Sequence, residues 1–99
     1  MPETGTKTRS KLKVARPPLY KVMLLNDDFT PRDFVVMVLK AEFRMTEDEA
    51  LKVMITAHTK GKCVVAVFTR EVAESKATRA TDLARSQGFP LLFATEPED

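Results

Sequence analysis

The sequence predicts an α+β fold, a two-layer βααβαβ domain in which three helices pack on one side of a three-stranded antiparallel sheet. Three short apolar runs, at 19–25, 63–68 and 89–95, have the length and the flanking turn residues of strands. Helix start and stop signals occur twice after the first run and once after the second. A chain of 99 residues supplies one modest core, so we expect a single domain.

The first strand and the first helix follow from local signals. The first apolar run is interrupted only by Lys21, which suits a buried strand. Further on, Thr30 precedes Pro31, a residue preset for a first helical turn, and Asp33 can reach back toward the cap. We therefore expect a helix from Thr30 to about Phe43.

The second helix has the strongest start signal in the chain. Thr46 and Glu49 have the spacing of a capping box, and the helix should run to about Thr59. Gly61 supplies the left-handed stop that commonly ends a helix. The run 63–68 is apolar on both faces, which predicts the central strand of a covered sheet.

The third helix should open near Thr69 and end at Gly88. Its apolar stripe has the helical period and consists of Val72, Ala73, Ala80, Leu83 and Ala84. The closing strand, 89–95, contains Pro90, which cannot donate to a ladder, so this strand lies at an edge or begins at Pro90. Such a sheet leaves an open face or edge that charge or a partner must protect.

The first 18 residues differ in composition from the rest. They contain five basic side chains, one glutamate, little apolar content and a closing Pro17-Pro18 pair. Such a segment cannot repay its ordering entropy by burial, so we expect a flexible basic extension over 1–18 and a core domain over 19–99. Basic extensions often contact nucleic acid, although a solvated leader explains the charge equally well.

The predicted compartment is the cytoplasm. No apolar run approaches the roughly 18 residues of a membrane-spanning helix, and no apolar stretch follows Met1 as in a secretory signal. The single cysteine excludes an internal disulfide. We therefore expect no membrane partner.

Signals for catalysis or for a cofactor are absent from the sequence. The Gly-Lys pair in "HTKGKC" lacks the spaced glycines and the Ser or Thr of a phosphate-binding loop. His58 and Cys63 make two metal ligands, whereas zinc sites use three or four. Cys63 opens an apolar strand, where a thiol packs as a small hydrophobe. We expect no cofactor, no metal and no enzymatic activity.

Asn26, Asp27 and His58 are candidates for one ligand site. Each accepts hydrogen bonds, and a primary ammonium is a compact cation with three donors. An apolar floor beneath them would complete a receptor for the first residue of a peptide, and its candidates are Val35, Met54 and Ala57. Two simpler interpretations stay open, because Asn and Asp form turns and a histidine in a last helical turn complements the helix dipole.

Three separated blocks carry a family resemblance: "YKVMLLNDDFTP", "MITAHTKGK" and "VFTREVAESK". In this order and spacing they resemble the ClpS family, adaptors that hand N-end-rule substrates to the ClpA unfoldase of the ClpAP protease, over about residues 17–95. The resemblance implies the same βααβαβ domain and a pocket for N-terminal Phe, Tyr, Trp or Leu. It also implies a mobile N-terminal extension required for delivery. We expect no nucleic-acid partner.

The resemblance also assigns roles to residues. It implies that the α-amino group is bound by Asn26, Asp27 and His58. It implies a side-chain pocket formed by Thr30, Arg32, Val35, Met54, Ala57 and Leu91. Asp28 is interpreted as loop support through local turn bonding. The N-terminal domain of the ATPase should contact Glu71, Glu74 and Lys76, which would otherwise be an ordinary solvated first turn.

Three positions depart from the family pattern. Arg32 stands where methionine is common at the pocket rim, Phe29 replaces a frequent tyrosine, and Ala57 replaces a larger valine. An arginine offers an aliphatic stem and a planar cation that can lie over an aromatic ring. Such a rim is expected of a second, specialised adaptor copy.

Two other functional classes are weaker. A small nucleic-acid-binding protein would use the basic extension, but the remaining residues are net acidic and lack an RNA-binding aromatic motif. A small hydrolase would need a nucleophile beside its base, and His58 has no Ser or Cys partner at motif spacing.

Overall fold

The structure, a computed structural model, describes residues 17–98. The elements in chain order are β1 (Leu19–Leu25), α1 (Arg32–Phe43), α2 (Glu47–Lys60), β2 (Lys62–Thr69), α3 (Arg70–Ser86) and β3 (Leu92–Pro97). The predicted α+β fold and βααβαβ order are confirmed. Of the predicted flexible extension, residues 1–16 lie outside the described residues.

The sheet is antiparallel throughout and has the strand order β2-β1-β3. The prediction that 63–68 forms the central strand is therefore wrong, because β1 is central and β2 lies at an edge. A register shift opposite Val22 and Met23 leaves Val65 without a partner in β1. A bulge of this kind breaks the alternation of inward and outward residues, so an edge strand can resemble one that is buried on both faces.

The helices cover one face of the sheet and enclose the core. Residues of β1, the three helices and β3 form one cluster, whose most buried members include Val22, Leu24, Val38, Leu39, Ala50, Ala73, Ala80 and Ala84. The alanines of α3 let this helix approach the sheet closely. Val72, predicted to belong to the buried stripe, is instead 42% exposed. The actual stripe continues through Ala77, one turn after Ala73.

The start of α1 differs from the prediction, because this helix begins at Arg32 rather than Thr30. Pro31 occupies the cap position with extended backbone, and among residues 17–98 no side chain caps the first N–H groups of the helix. Asp33 lies in the first turn without capping it. Thr30 lies one residue before the cap position, and its hydroxyl donates to Asp27 Oδ2 at 2.9 Å.

The predicted signals of α2 are confirmed. Thr46 Oγ1 accepts from the backbone N–H of Glu49 at 3.1 Å, and Glu49 Oε1 accepts from the N–H of Thr46 at 2.9 Å. The helix ends at Lys60, and Gly61 follows in the left-handed region with φ 91°. The N–H of Gly61 donates to the carbonyl of Ala57 at 2.8 Å.

The chain between α3 and β3 also differs from the prediction. The helix ends at Ser86, before Gly88, and the strand spans Leu92–Pro97 rather than 89–95. β3 does lie at an edge, as Pro90 indicated. The residues before it enter the core instead of the sheet, since the ring of Phe89 packs on Phe34 with centroids 4.9 Å apart.

Charge and a helix side chain protect the exposed parts of the sheet. On the open face, Lys21 Nζ lies 3.3 Å from a carboxylate oxygen of Glu96. At the β3 edge, the N–H of Phe93 donates to Thr81 Oγ1 of α3 at 3.0 Å. None of the helices in residues 17–98 is both long enough and apolar enough to cross a membrane.

Candidate functional site

A cavity of about 300 Å³ opens where β1 ends, beside α1, α2 and the segment before β3. The three residues predicted to bind the α-amino group and the six predicted to form the side-chain pocket all line this cavity. The described residues that line it are Leu24, Leu25, Asn26, Asp27, Asp28, Thr30, Arg32, Val35, Met54, Ile55, Ala57, His58 and Leu91.

The floor of the cavity is apolar and belongs to the core. Val35 of α1, Ala57 of α2 and Leu91 before β3 are 6%, 1% and 3% exposed. Met54 precedes Ala57 by three residues, so both project from the same side of α2. Floor residues from three segments that pack together give the cavity a shape that exists before any ligand binds.

The mouth of the cavity is polar, and Asp27 organises its loop. Asp27 Oδ1 accepts from the N–H groups of Phe29 at 2.8 Å and Thr30 at 2.7 Å, while its Oδ2 accepts from the Thr30 hydroxyl. The turn interpretation of the Asn-Asp-Asp segment is therefore correct for Asp27. Because Asp27 also lines the cavity, forming the turn and facing a ligand are compatible roles.

The prediction that Asp28 supports the loop through local turn bonding is wrong for the described residues. Within residues 17–98, the carboxylate of Asp28 makes none of the turn hydrogen bonds, which all belong to Asp27. In such a turn the first side chain bonds to N–H groups two and three residues ahead, and from Asp27 these are Phe29 and Thr30. Asp28 is instead exposed and lines the cavity.

His58 lies in the last turn of α2, where it is exposed and lines the cavity beside Ala57. This position is compatible with both interpretations, because the last turn is where a histidine can complement the helix dipole and His58 also borders the mouth. The opposite side of the mouth is joined to the same helix end. The N–H of Asn26 donates to the carbonyl of Gly61 at 3.0 Å.

The rim contains one expected residue and one that the sequence did not indicate. Arg32 is exposed as the first residue of α1 and lines the cavity. Ile55, which is 56% exposed, also lines it. Ile55 lies outside the buried stripe of α2, so helical periodicity could not connect it to a site. Its exposure beside a cavity is a property of the folded chain.

The predicted partner surface lies on α3 and does not line this cavity. Glu71 is exposed, and Glu74 forms an ion pair with Arg70 at 3.2 Å. Lys76 is half-buried, and its Nζ donates to the carbonyl of Glu42 in α1 at 3.0 Å. The Lys76 ammonium also lies 5.6 Å from the ring centroid of Phe68. Lys76 therefore joins α1, β2 and α3, unlike an ordinary solvated side chain.

Cys63 is partly buried and has the character of a packing residue. Burial raises the pKa of its thiol above the ordinary value, although a hydrogen bond with Thr56 and the charge of Lys60 act in the opposite direction. A raised pKa disfavours the thiolate, which is the nucleophilic form. Across residues 17–98, histidine, cysteine and carboxylate side chains form no cluster of three or more that could hold a metal ion.

The fold and the cavity define a class of protein: a small α+β domain with a preformed apolar pocket that opens through a polar mouth. The family model described as ATP-dependent Clp protease adaptor protein ClpS matches residues 15–94. The chain belongs to the ClpS family.

Similar bacterial proteins support this assignment over nearly the full chain. The chain is 72% identical to the ATP-dependent Clp protease adapter protein ClpS 1 of Bradyrhizobium diazoefficiens, over 97% of this chain and 95% of that protein. It is 64% identical to ClpS 2 of Mesorhizobium japonicum, over the whole of both chains. Relatives named ClpS 1 and relatives named ClpS 2 both match strongly, so sequence similarity does not assign this chain to one of these two types.

A solved structure has the same fold. It is Agrobacterium tumefaciens ClpS2 bound to L-phenylalaninamide, with a TM-score of 0.82 and 64% sequence identity. The match covers 84% of this chain and 100% of the other. The relative's ligand is an amino-acid amide with a free α-amino group and an aromatic side chain.

Proposed function

We propose that this protein is a cytoplasmic substrate adaptor that binds N-terminal Phe, Tyr, Trp or Leu of N-degron proteins and delivers them to the ClpA unfoldase of ClpAP. The observation that carries the proposal is the cavity with an apolar floor and three acceptor side chains, Asn26, Asp27 and His58, at its mouth. The family membership and the ligand of the Agrobacterium relative support it.

The proposed ligand matches the chemistry of the site. L-phenylalaninamide, the relative's ligand, stands in for the first residue of a peptide, and its carboxamide takes the place of the first peptide bond. In this protein, the ammonium would donate to acceptors at the mouth and the side chain would enter the floor. The floor alone would accept any apolar group, so the mouth supplies the selection for a free N-terminus.

The size of the cavity supports the capture of one side chain. Its volume of about 300 Å³ is at the lower end of the range of ligand pockets, about 300 to 1,000 Å³. The rest of the substrate would therefore stay outside, where Arg32 and Ile55 form the rim. A pocket that holds only the first residue can serve substrates of unrelated sequence.

Delivery would use surfaces away from the pocket. We assign contact with the N-terminal domain of ClpA to the face of α3 that carries Glu71, Glu74 and Lys76, and we assign transfer to the extension over 1–18. In this mechanism the protein forms and breaks no covalent bond. It raises the local concentration of a substrate at the unfoldase, and the partner supplies unfolding and cleavage.

A titration tests the proposal directly. A fluorescent peptide with N-terminal Phe should bind, and the same peptide with an acetylated N-terminus should bind at least tenfold more weakly, about the effect of 1.4 kcal/mol. Equal affinities would contradict the ammonium assignment. Retention on DNA without binding to either peptide would favour the nucleic-acid alternative, and turnover of the free peptide would favour a hydrolase.

A further inference from the structure

Gly61 connects the two sides of the pocket mouth through its backbone. Its N–H donates to the carbonyl of Ala57 at 2.8 Å, which closes the end of the helix that carries His58. Its carbonyl accepts from the N–H of Asn26 at 3.0 Å, which holds the loop after β1. One residue therefore makes a hydrogen bond to each of the two segments that supply the proposed ammonium acceptors.

The backbone conformation, and not the available space, requires glycine at this position. Gly61 has φ 91° and ψ −24°, a left-handed conformation that L side chains rarely adopt. A Cβ built on Gly61 would meet no atom of residues 17–98 within 4 Å. An alanine would therefore clash with none of the described residues, and its effect there would be to disfavour this backbone conformation.

We propose that Gly61 is a positioning residue for N-terminal recognition: its left-handed conformation aims its carbonyl at the Asn26 N–H and so sets the spacing between Asn26 and His58. The inference rests on the proposed function. If residue 61 relaxed to negative φ, its carbonyl would turn away from Asn26. The loop would then lose its hydrogen bond to the helix end, while the apolar floor of Val35 and Leu91 would keep its packing.

The chain offers a matched control in Gly88. Its φ is 80°, a Cβ built there also meets no atom within 4 Å in the described part of the chain, and it too follows the end of a helix. Its N–H donates to the carbonyl of Arg85 at 2.9 Å, and it does not line the cavity. Gly88→Ala should therefore impose similar backbone strain without moving the mouth.

The first measurement compares peptide affinities for wild type, Gly61→Ala, Gly61→Asn and Gly88→Ala. Each is titrated with a Phe peptide and with its des-amino analogue, which keeps the ring and lacks the ammonium. Gly61→Ala should weaken the Phe peptide about two- to tenfold, the factor for one hydrogen bond, and leave the des-amino peptide unchanged. Gly61→Asn should restore much of the affinity, because asparagine tolerates positive φ. Gly88→Ala should bind both peptides as wild type does.

The second measurement needs no ligand. Amide hydrogen exchange at Asn26 should be faster in Gly61→Ala than in wild type and unchanged in Gly88→Ala. Unchanged exchange at Asn26, an equal loss of affinity for both peptides, or equal losses in the two alanine variants would overturn the positioning role. A wild-type protein that does not prefer the Phe peptide over its des-amino analogue would instead overturn the proposed function.

Discussion

Thr30 donates both its backbone N–H and its hydroxyl to the carboxylate of Asp27, at 2.7 and 2.9 Å. A further bond from the N–H of Phe29 makes three donors to one side chain. The Asp27 carboxylate is therefore oriented by the loop before a ligand arrives, which is the preorganisation that reduces the cost of binding. Removing Asp27 would change both the charge and the shape of the mouth.

Two substitutions separate the charge of Asp27 from its turn bonding. Asp27→Ala should cost about 1.5 to 3 kcal/mol of binding to a Phe peptide, the range for a hydrogen bond to a charged group, together with the loss of the turn. Asp27→Asn keeps an oxygen for the N–H groups of Phe29 and Thr30 but removes the negative charge. We expect calorimetric titration to show weaker binding for both variants, with a smaller loss for Asp27→Asn. Wild-type affinity in Asp27→Asn would show that the charge does not contribute.

The rim residue Arg32 should favour aromatic over aliphatic first residues. Its guanidinium can stack on Phe, Tyr or Trp at the mouth, and such contact at an exposed site contributes about 0.5 to 1 kcal/mol. Arg32→Met should therefore raise the affinity of a Leu peptide relative to a Phe peptide by about two- to fivefold. Competition titrations of the two peptides at one ionic strength would measure the ratio.

The alternative for Arg32 is that its cation extends into water and only its stem contacts the ligand. An unchanged Phe-to-Leu ratio in Arg32→Met would support that alternative and leave Ala57 as the candidate for specificity. Ala57 is 1% exposed on the cavity floor, so Ala57→Val would narrow the cavity itself. Ala57→Val should weaken the binding of the larger aromatic first residues more than the binding of Leu. This effect would arise at the cavity floor, whereas the effect of Arg32→Met would arise at the rim.

Deleting residues 1–17 should separate binding from delivery. This segment has few apolar residues and lies before β1, so we expect its removal to change the affinity for a Phe peptide less than twofold, or about 0.4 kcal/mol. Accelerated degradation of an N-degron substrate by ClpAP should be lost. Loss of peptide affinity in the truncated protein would place part of the extension in the binding site.

Lys76 and Glu71 should differ in their effects on stability. Lys76→Ala removes the hydrogen bond to the Glu42 carbonyl and the contact with Phe68. We expect it to lower the free energy of unfolding by about 1 to 2 kcal/mol. The loss should be smaller than for a fully buried charge-assisted hydrogen bond, because Lys76 is only half-buried. Glu71→Ala should cost less than about 0.5 kcal/mol, as for an ordinary surface position. Urea denaturation would measure both values.

This difference matters for tests of ClpA binding. Lys76→Met keeps the aliphatic stem over Phe68 and removes the charge, so it is the better probe of the partner surface. A loss of ClpA binding in Glu71→Ala, with unchanged stability, would support the proposed contact. Stability of Lys76→Ala equal to that of the wild type would contradict the anchoring role.

Cys63 should make stability fall at alkaline pH. The pKa of its thiol in the folded protein lies above the ordinary value of 9.0, so the unfolded chain loses this proton first as pH rises. Between the two pKa values the unfolded state binds fewer protons, and the free energy of unfolding therefore decreases with pH. Denaturation of wild type and Cys63→Ala between pH 8 and pH 10, approximately the titration range of a thiol, should show a shallower decrease in the variant. Parallel curves would contradict the pKa shift.

Residues close in sequence made the ends of α2 and the polar mouth of the site predictable. The capping box needs only Thr46 and Glu49, and the left-handed stop needs only Gly61, so their signals are complete within one segment. The Asn-Asp-Asp segment likewise predicted polar acceptors after a buried strand. Assigning the turn to Asp27 rather than Asp28 required the backbone path, because both carboxylates have the same local chemistry.

The sequence by itself determined the order of the elements, the caps of α2 and which residue types follow β1, because each depends on neighbours within about four positions. The tertiary structure alone decided that β1 is the central strand, since hydrogen bonding to both β2 and β3 depends on how the strands associate. It also decided that Lys76 bonds to Glu42 and that Ile55 borders the cavity. Such contacts join segments far apart in the chain, and their energies exist only after the core has brought those segments together.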